Sequence, residues 1–122
     1  MKENMRKYKP LISKSQAWDS IENQFSEWGE KHFKMLELVQ HIKNSTLSNR
    51  IFGSTSMDKL VVSIYDPIEY EKESLHVIFD LHSNKWHFKY FAMPFQSPEF
   101  VRIYDSEKGI EKFDNFINMI KW

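Results

Sequence analysis

An α+β domain is what this sequence predicts: a long N-terminal helix, an antiparallel sheet of four to five strands and a C-terminal helix, both helices on one sheet face. Three observations carry that expectation. Apolar residues recur at three- and four-residue intervals from Trp18 to Ile42 and again from Ile110 to Ile120, the period of an amphipathic helix. Between them, β-branched and aromatic runs alternate with polar residues at the period of a half-buried strand. The helical and extended segments are segregated along the chain, and their short connections let neighbouring strands run antiparallel.

Residues 1–12 have no sustained period and read as a loosely ordered basic lead-in, with residues 13–122 forming a single domain. Ser13-Lys14-Ser15-Gln16 fits a capping box, in which the Ser13 hydroxyl bonds a free amide of the first turn and Gln16 reaches back. Trp18, Ile21, Phe25, Trp28, His32, Leu36, Val39 and Ile42 then form one helical stripe, and Gly29 in its middle permits a bend. Asn44-Ser45-Thr46 offers side chains that compete with helical hydrogen bonds and ends the helix. Strands are expected at Arg50 to Ser54 and at Lys59 to Tyr65, where Asp66-Pro67 stops the second. The stretch DPIEYEKE, Asp66 to Glu73, carries a net −3 and reads as a loop. After a break at Pro94 to Pro98, Glu99 to Tyr104 is another strand. Asp105 or Ser106 then caps a helix with Ile110, Phe113, Ile117 and Ile120 on one face.

The most informative segment is Leu75 to Phe91, a β-hairpin with unlike faces. With Ser83-Asn84 as the turn, Leu75, Val77, Phe79 and Leu81 point one way and meet Trp86, Phe88 and Tyr90 across the ladder. The opposite face carries His76, Ile78, Asp80, His82, His87, Lys89 and Phe91, a mixture suited to contact with another molecule.

Composition narrows the function. The chain has 122 residues, of which 16% are aromatic, and only seven are Gly or Pro, so it can bury a core without staples. It has no cysteine, which excludes disulfides and thiolate metal sites and suits a reducing compartment. No apolar run is long enough to span a bilayer, and the first ten residues lack a secretory hydrophobic core, so a cytoplasmic protein without membrane contact is expected. The net charge is zero, which argues against direct nucleic-acid binding. Residues 1–14 nevertheless hold +4, leaving a mildly acidic body at −4 that would attract a basic partner.

In that register Asp80 lies opposite His87 with His82 diagonal to it, so these three side chains could hold a divalent metal or a histidine base, as in a small metal-dependent or acid/base enzyme. An ordinary cross-strand pair on a wet surface is the simpler explanation of Asp80 and His87, since no metal-type spacing such as His-Glu-x-x-His supports the alternative. His76 is roughly 20 Å from His82 along the strand and stands apart. His32, on the helical stripe, reads as a partly buried histidine with one hydrogen bond. There is no nucleophile elbow, phosphate loop or dinucleotide fingerprint. The remaining expectation is a protein-binding module, not an enzyme, with no cofactor. Its partner-binding candidates are Glu69, Tyr70, Glu71 and Glu73 of the acidic loop and His76, Ile78, Asp80, His82, His87, Lys89 and Phe91 of the hairpin, because aromatic anchors ringed by charge give affinity and orientation.

An aromatic-rich, cysteine-free chain with an amphipathic helix from Trp18 to Ile42, a meander ending in FVRIYDS and a closing helix IEKFDNFINMI resembles the immunity proteins of contact-dependent growth inhibition and other polymorphic toxin systems. The resemblance implies a cytoplasmic bacterial protein that binds one cognate toxin domain, often a nuclease, and blocks its active site or substrate surface. Apart from the resemblance, the open sheet face allows a homodimer as the alternative to a monomer in the complex. The near-zero net charge departs from the strongly acidic pattern common among inhibitors of basic nucleases.

Overall fold

A computed structural model describes residues 12–69, 72–93 and 97–122; of residues 12, 13 and 69 it describes the backbone only. The expected lead-in therefore lies outside the described residues, except for Ile12. The described elements run β1 (Ile12–Ser13), α1 (Trp18–Glu27), α2 (Phe33–Lys43), β2 (Phe52–Ser56), β3 (Lys59–Ser63), β4 (Ile68–Glu69), β5 (Ser74–Asp80), β6 (Lys85–Phe91), β7 (Phe100–Asp105) and α3 (Gly109–Ile120). Single 3-10 turns precede α2 and α3 and follow α2. The protein is α+β: β2, β3, β5, β6 and β7 form one antiparallel sheet in the order β2-β3-β5-β6-β7, and β1 pairs with β4 separately.

The single N-terminal helix expected from Trp18 to Ile42 is two helices. Gly29 breaks it with φ +88°, a conformation that an L side chain resists. The break re-phases the buried stripe, which is Ile21 and Phe25 before it but Met35, Leu38, Val39 and Ile42 after it. Trp28, expected on the stripe, is left 39% exposed. Lys43 at the end of α2 reaches back to Asp19 (3.0 Å) and Glu22 (2.8 Å), tying the two helices together.

The capping box also goes elsewhere. Ala17 is the N-cap of α1 and makes no side-chain cap bond, while Ser13 lies in β1. Gln16 instead bridges to the sheet edge: its N–H donates to the Gly53 carbonyl (2.9 Å), and its Oε1 accepts from the Thr55 N–H (2.7 Å). At the other helix, Asp105 makes no side-chain cap bond, because its carboxylate is paired with Lys85 at 2.6 Å.

One apolar cluster unites the helices and the sheet. It draws Ile21 and Phe25 from α1, Met35, Leu38, Val39 and Ile42 from α2, Phe113, Phe116 and Ile117 from α3, and Leu60, Val62, Leu75, Val77, Phe79, Trp86, Phe88 and Tyr90 from the sheet. These sheet residues alternate with the outward set, as the β6 burial pattern shows, and Trp86 is 1% exposed. Over β2 and β3 the opposite face is not open as expected. Val61, Ser54 and Ser63 are buried there, Ile68 of β4 is buried as well, and β4 contacts β2. The open part of that face belongs to β5, β6 and β7. Among the described residues no helix is long and apolar enough to cross a membrane.

Candidate partner-binding face

The hairpin that makes this face has a different register from the expected one. Ile78 pairs with His87 and Asp80 with Lys85, because the turn takes four residues, Leu81–Asn84, in place of two. A change of two residues keeps every side chain on its own face, so the alternation survives the shift. Only Leu81 changes character: expected in the core, it sits in the turn at 52% exposure. Asp80 explains the longer turn. Its carboxylate accepts from the His82 N–H (3.2 Å) and the Ser83 hydroxyl (2.8 Å), and the Ser83 bond above all holds the carboxyl below its ordinary value.

Asp80, His82 and His87, expected to cluster, do line one cleft, but their side chains do not converge on a common point. Asp80 serves the turn, and His82 is exposed within it. His87 Nε2 lies 3.9 Å from Asp80 Oδ2, inside ion-pair range but too far for a hydrogen bond, and this buried nitrogen has no hydrogen-bond partner. Among the described residues no three His, Cys, Asp or Glu side chains converge into a metal-binding group.

His76 stands beside Phe91, with ring centroids 4.7 Å apart, and its Nε2 lies 3.3 Å from the Ser74 hydroxyl. Burial, then the Lys59 and Lys89 charges, push its imidazole down to about 4. The unfolded chain takes up this proton near the ordinary histidine value of about 6.5, whereas the folded chain resists it until about 4. Stability present above the first value is therefore lost as the pH falls toward the second. Discounted for the ring's partial exposure, the loss is about 1–2 kcal/mol. Urea unfolding at pH 7 and pH 4.5 checks this: the loss should shrink in His76→Gln, and an equal loss in both proteins would show that another group is responsible.

Of the acidic-loop candidates, the Glu69 side chain, Tyr70 and Glu71 lie outside the described residues. Glu73 turns inward: its carboxylate accepts from the Tyr90 hydroxyl (2.5 Å) and from Trp122 Nε1 (3.2 Å). No family model, no curated protein and no solved structure matches this chain.

On β7, Val101 pairs with Lys89 and Ile103 with His87, which puts both aliphatic side chains on the open face at 45% and 54% exposure. Half-buried Ile78 and Phe91 share that face. A pocket of about 190 Å3 is lined by Lys59, His76, Ile78, His87, Lys89 and Phe91. It adjoins a cleft of about 400 Å3 at the hairpin end, which also includes Lys31, His32, Asp58, Asp80, Leu81 and His82. His32 differs from its expected state: its ring packs near Trp28 and Phe25, and its Nδ1 is buried with no hydrogen-bond partner.

Five of the expected site residues, His76, Ile78, His87, Lys89 and Phe91, thus meet in one pocket. Sequence reasoning missed Lys59, Val101 and Ile103. The last two follow from the pairing of β7 with β6, since FVRIYD, with its apolar Phe-Val and Ile-Tyr steps, does not itself announce which face Val101 and Ile103 take.

Proposed function

We propose that this protein is a cytoplasmic binding module, not an enzyme, that neutralises a bacterial toxin domain docked on the β5-β6-β7 face while the helices cover the other face. The observation that carries the reading is the Val101–Ile103 pair. Two exposed aliphatic side chains stand on one open strand beside Ile78 and Phe91, with Lys85, Asp105 and Lys89 around them, an apolar centre inside a charged rim. The toxin as partner follows from the resemblance to immunity proteins.

Size sets the extent of the contact. Three strands about 4.8 Å apart and six residues long offer about 300 Å2, whereas a stable interface takes about 800 Å2 from each partner. The toxin must therefore also reach the exposed Leu81 of the turn and Met93 beyond β6.

Co-expression with the polypeptide encoded immediately upstream tests the reading: a co-purifying complex and protected cells are expected, and neither appearing would remove it. Val101→Asp together with Ile103→Asp should weaken the complex at least thirtyfold, about 2 kcal/mol, by burying charge in the apolar centre. The melting temperature should hardly move, because both side chains are already exposed. Surface plasmon resonance alongside thermal unfolding separates the two effects.

A further inference from the structure

The 190 Å3 pocket on the open face has a one-sided chemistry. Two lysines and two histidines line it and, among the described residues, no carboxylate does, the nearest to His87 being Asp80 at its edge, 3.9 Å from Nε2. Neither Lys59 nor Lys89 has an ion-pair partner among the described residues. His87 adds a buried ring nitrogen without a hydrogen bond, a state that costs free energy until a ligand supplies the partner. Ile78 and Phe91 make the apolar part of the wall. Burial first, and then the charges of Lys59 and Lys89, lower the His76 imidazole in the same pocket. The volume equals that of about six waters, enough for a carboxylate on its methylene stem.

We infer that this pocket seats an acidic side chain, Asp or Glu, of the bound protein. Its carboxylate lies between Lys59 and Lys89 and accepts from His87, and its stem lies against Ile78 and Phe91. This rests on the reading of the face as the partner surface, and it sharpens it: the body as a whole is mildly acidic, yet this spot selects an acidic anchor. A protein anchor is favoured over a nucleic-acid phosphate by the surroundings. The neighbouring exposed groups are the aliphatic Val101 and Ile103, and the chain beyond residue 14 carries a net −4, which repels a polyanion.

The test follows the histidine ring signals by NMR while sodium propionate is added to the intact protein, with propanol as the neutral control and inorganic phosphate as the competing anion. Propionate should shift the His76 and His87 signals saturably with a millimolar dissociation constant, and propanol should not. Lys59→Gln with Lys89→Gln should weaken that binding at least about tenfold, with near-ultraviolet circular dichroism unchanged. In the complex with the toxin domain the propionate shifts should vanish. Any of four results overturns the inference: no saturable shift, equal response to propanol, binding untouched by the double substitution, or phosphate binding more than about tenfold tighter than propionate. Propionate binding that persists in the toxin complex also overturns it, assigning the pocket to a free acid. The two readings fail separately. A toxin complex without propionate binding removes only the acidic anchor, whereas propionate binding without any toxin complex removes the function and leaves an anion pocket.

Discussion

Gly109→Ala should destabilise the protein by about 3 kcal/mol, although alanine is the better helix former. Gly109 opens α3 with an ordinary helical φ of −59°, so the substitution alone would gain up to about 1 kcal/mol from propensity. Packing opposes it with greater force. A methyl group at this position would overlap the Trp86 indole, coming within 2.7 Å of Cδ2 and closer still to Cε2 and Nε1. The indole has little freedom to withdraw. It is buried, its Nε1 donates to the Ser106 carbonyl at 3.0 Å, and its ring stands edge-on to Phe79 and Phe88 at 5.2 and 6.4 Å. Either the first turn of α3 lifts from the sheet or Trp86 leaves its place, and overpacking of this kind costs about 1–3 kcal/mol, occasionally more. Urea unfolding measures the outcome. In the Trp86→Leu background the same substitution should cost much less, because the overlapping ring is gone. A Gly109→Ala protein more stable than the parent would mean that α3 does not start against Trp86.

Glu73→Ala should cost a comparable amount, about 3 kcal/mol, by opening the clamp on the chain's last residue. Hydrogen bonds to a charged group contribute about 1.5–3 kcal/mol each, and this carboxylate takes two. The Tyr90 hydroxyl, on a buried residue, would lose its acceptor. Burial first, and then the Glu73 carboxylate, already raise that phenol above its ordinary range, so ionisation offers it no escape. Trp122 would lose the bond that holds its indole against Tyr90 and Phe116, with centroids at 6.2 and 6.0 Å. Thermal unfolding should show the loss, and tryptophan fluorescence should shift to the red as Trp122 gains water. If Glu73 instead belonged to a partner surface, as its place in an acidic loop led us to expect, stability would stay put and only binding would fall.

Much of the fold was legible because alternation survives errors of register. The hairpin turn is two residues longer than Ser83-Asn84 allows, yet Trp86, Phe88 and Tyr90 face the core and His87 and Lys89 face out, since a shift of two preserves parity. Strand positions at Lys59 and in FVRIYD were readable to within two residues for the same reason. Tertiary use of side chains was not legible. Gln16, Asp80 and Asp105 have the chemistry of local caps, but partners distant in sequence, or a turn, claim them. The helical stripe also misled, because a period of 3.6 looks continuous across Gly29 until the positive φ resets its phase. The pocket combined both cases: His76, Ile78, His87, Lys89 and Phe91 follow from the hairpin alone, while Lys59 enters through the pairing of β3 with β5, which no local pattern announces.

The graft of Gln16 onto Gly53 and Thr55 reaches beyond local stability. With one flank of the five-stranded sheet taken up by a loop amide, strand-to-strand joining of whole molecules is left to β7 on the far flank. Two copies meeting there would each occupy the border that, among the described strands of the five-stranded sheet, the Gln16 graft leaves open, so pairing of that kind ends at a closed couple and does not polymerise into a filament.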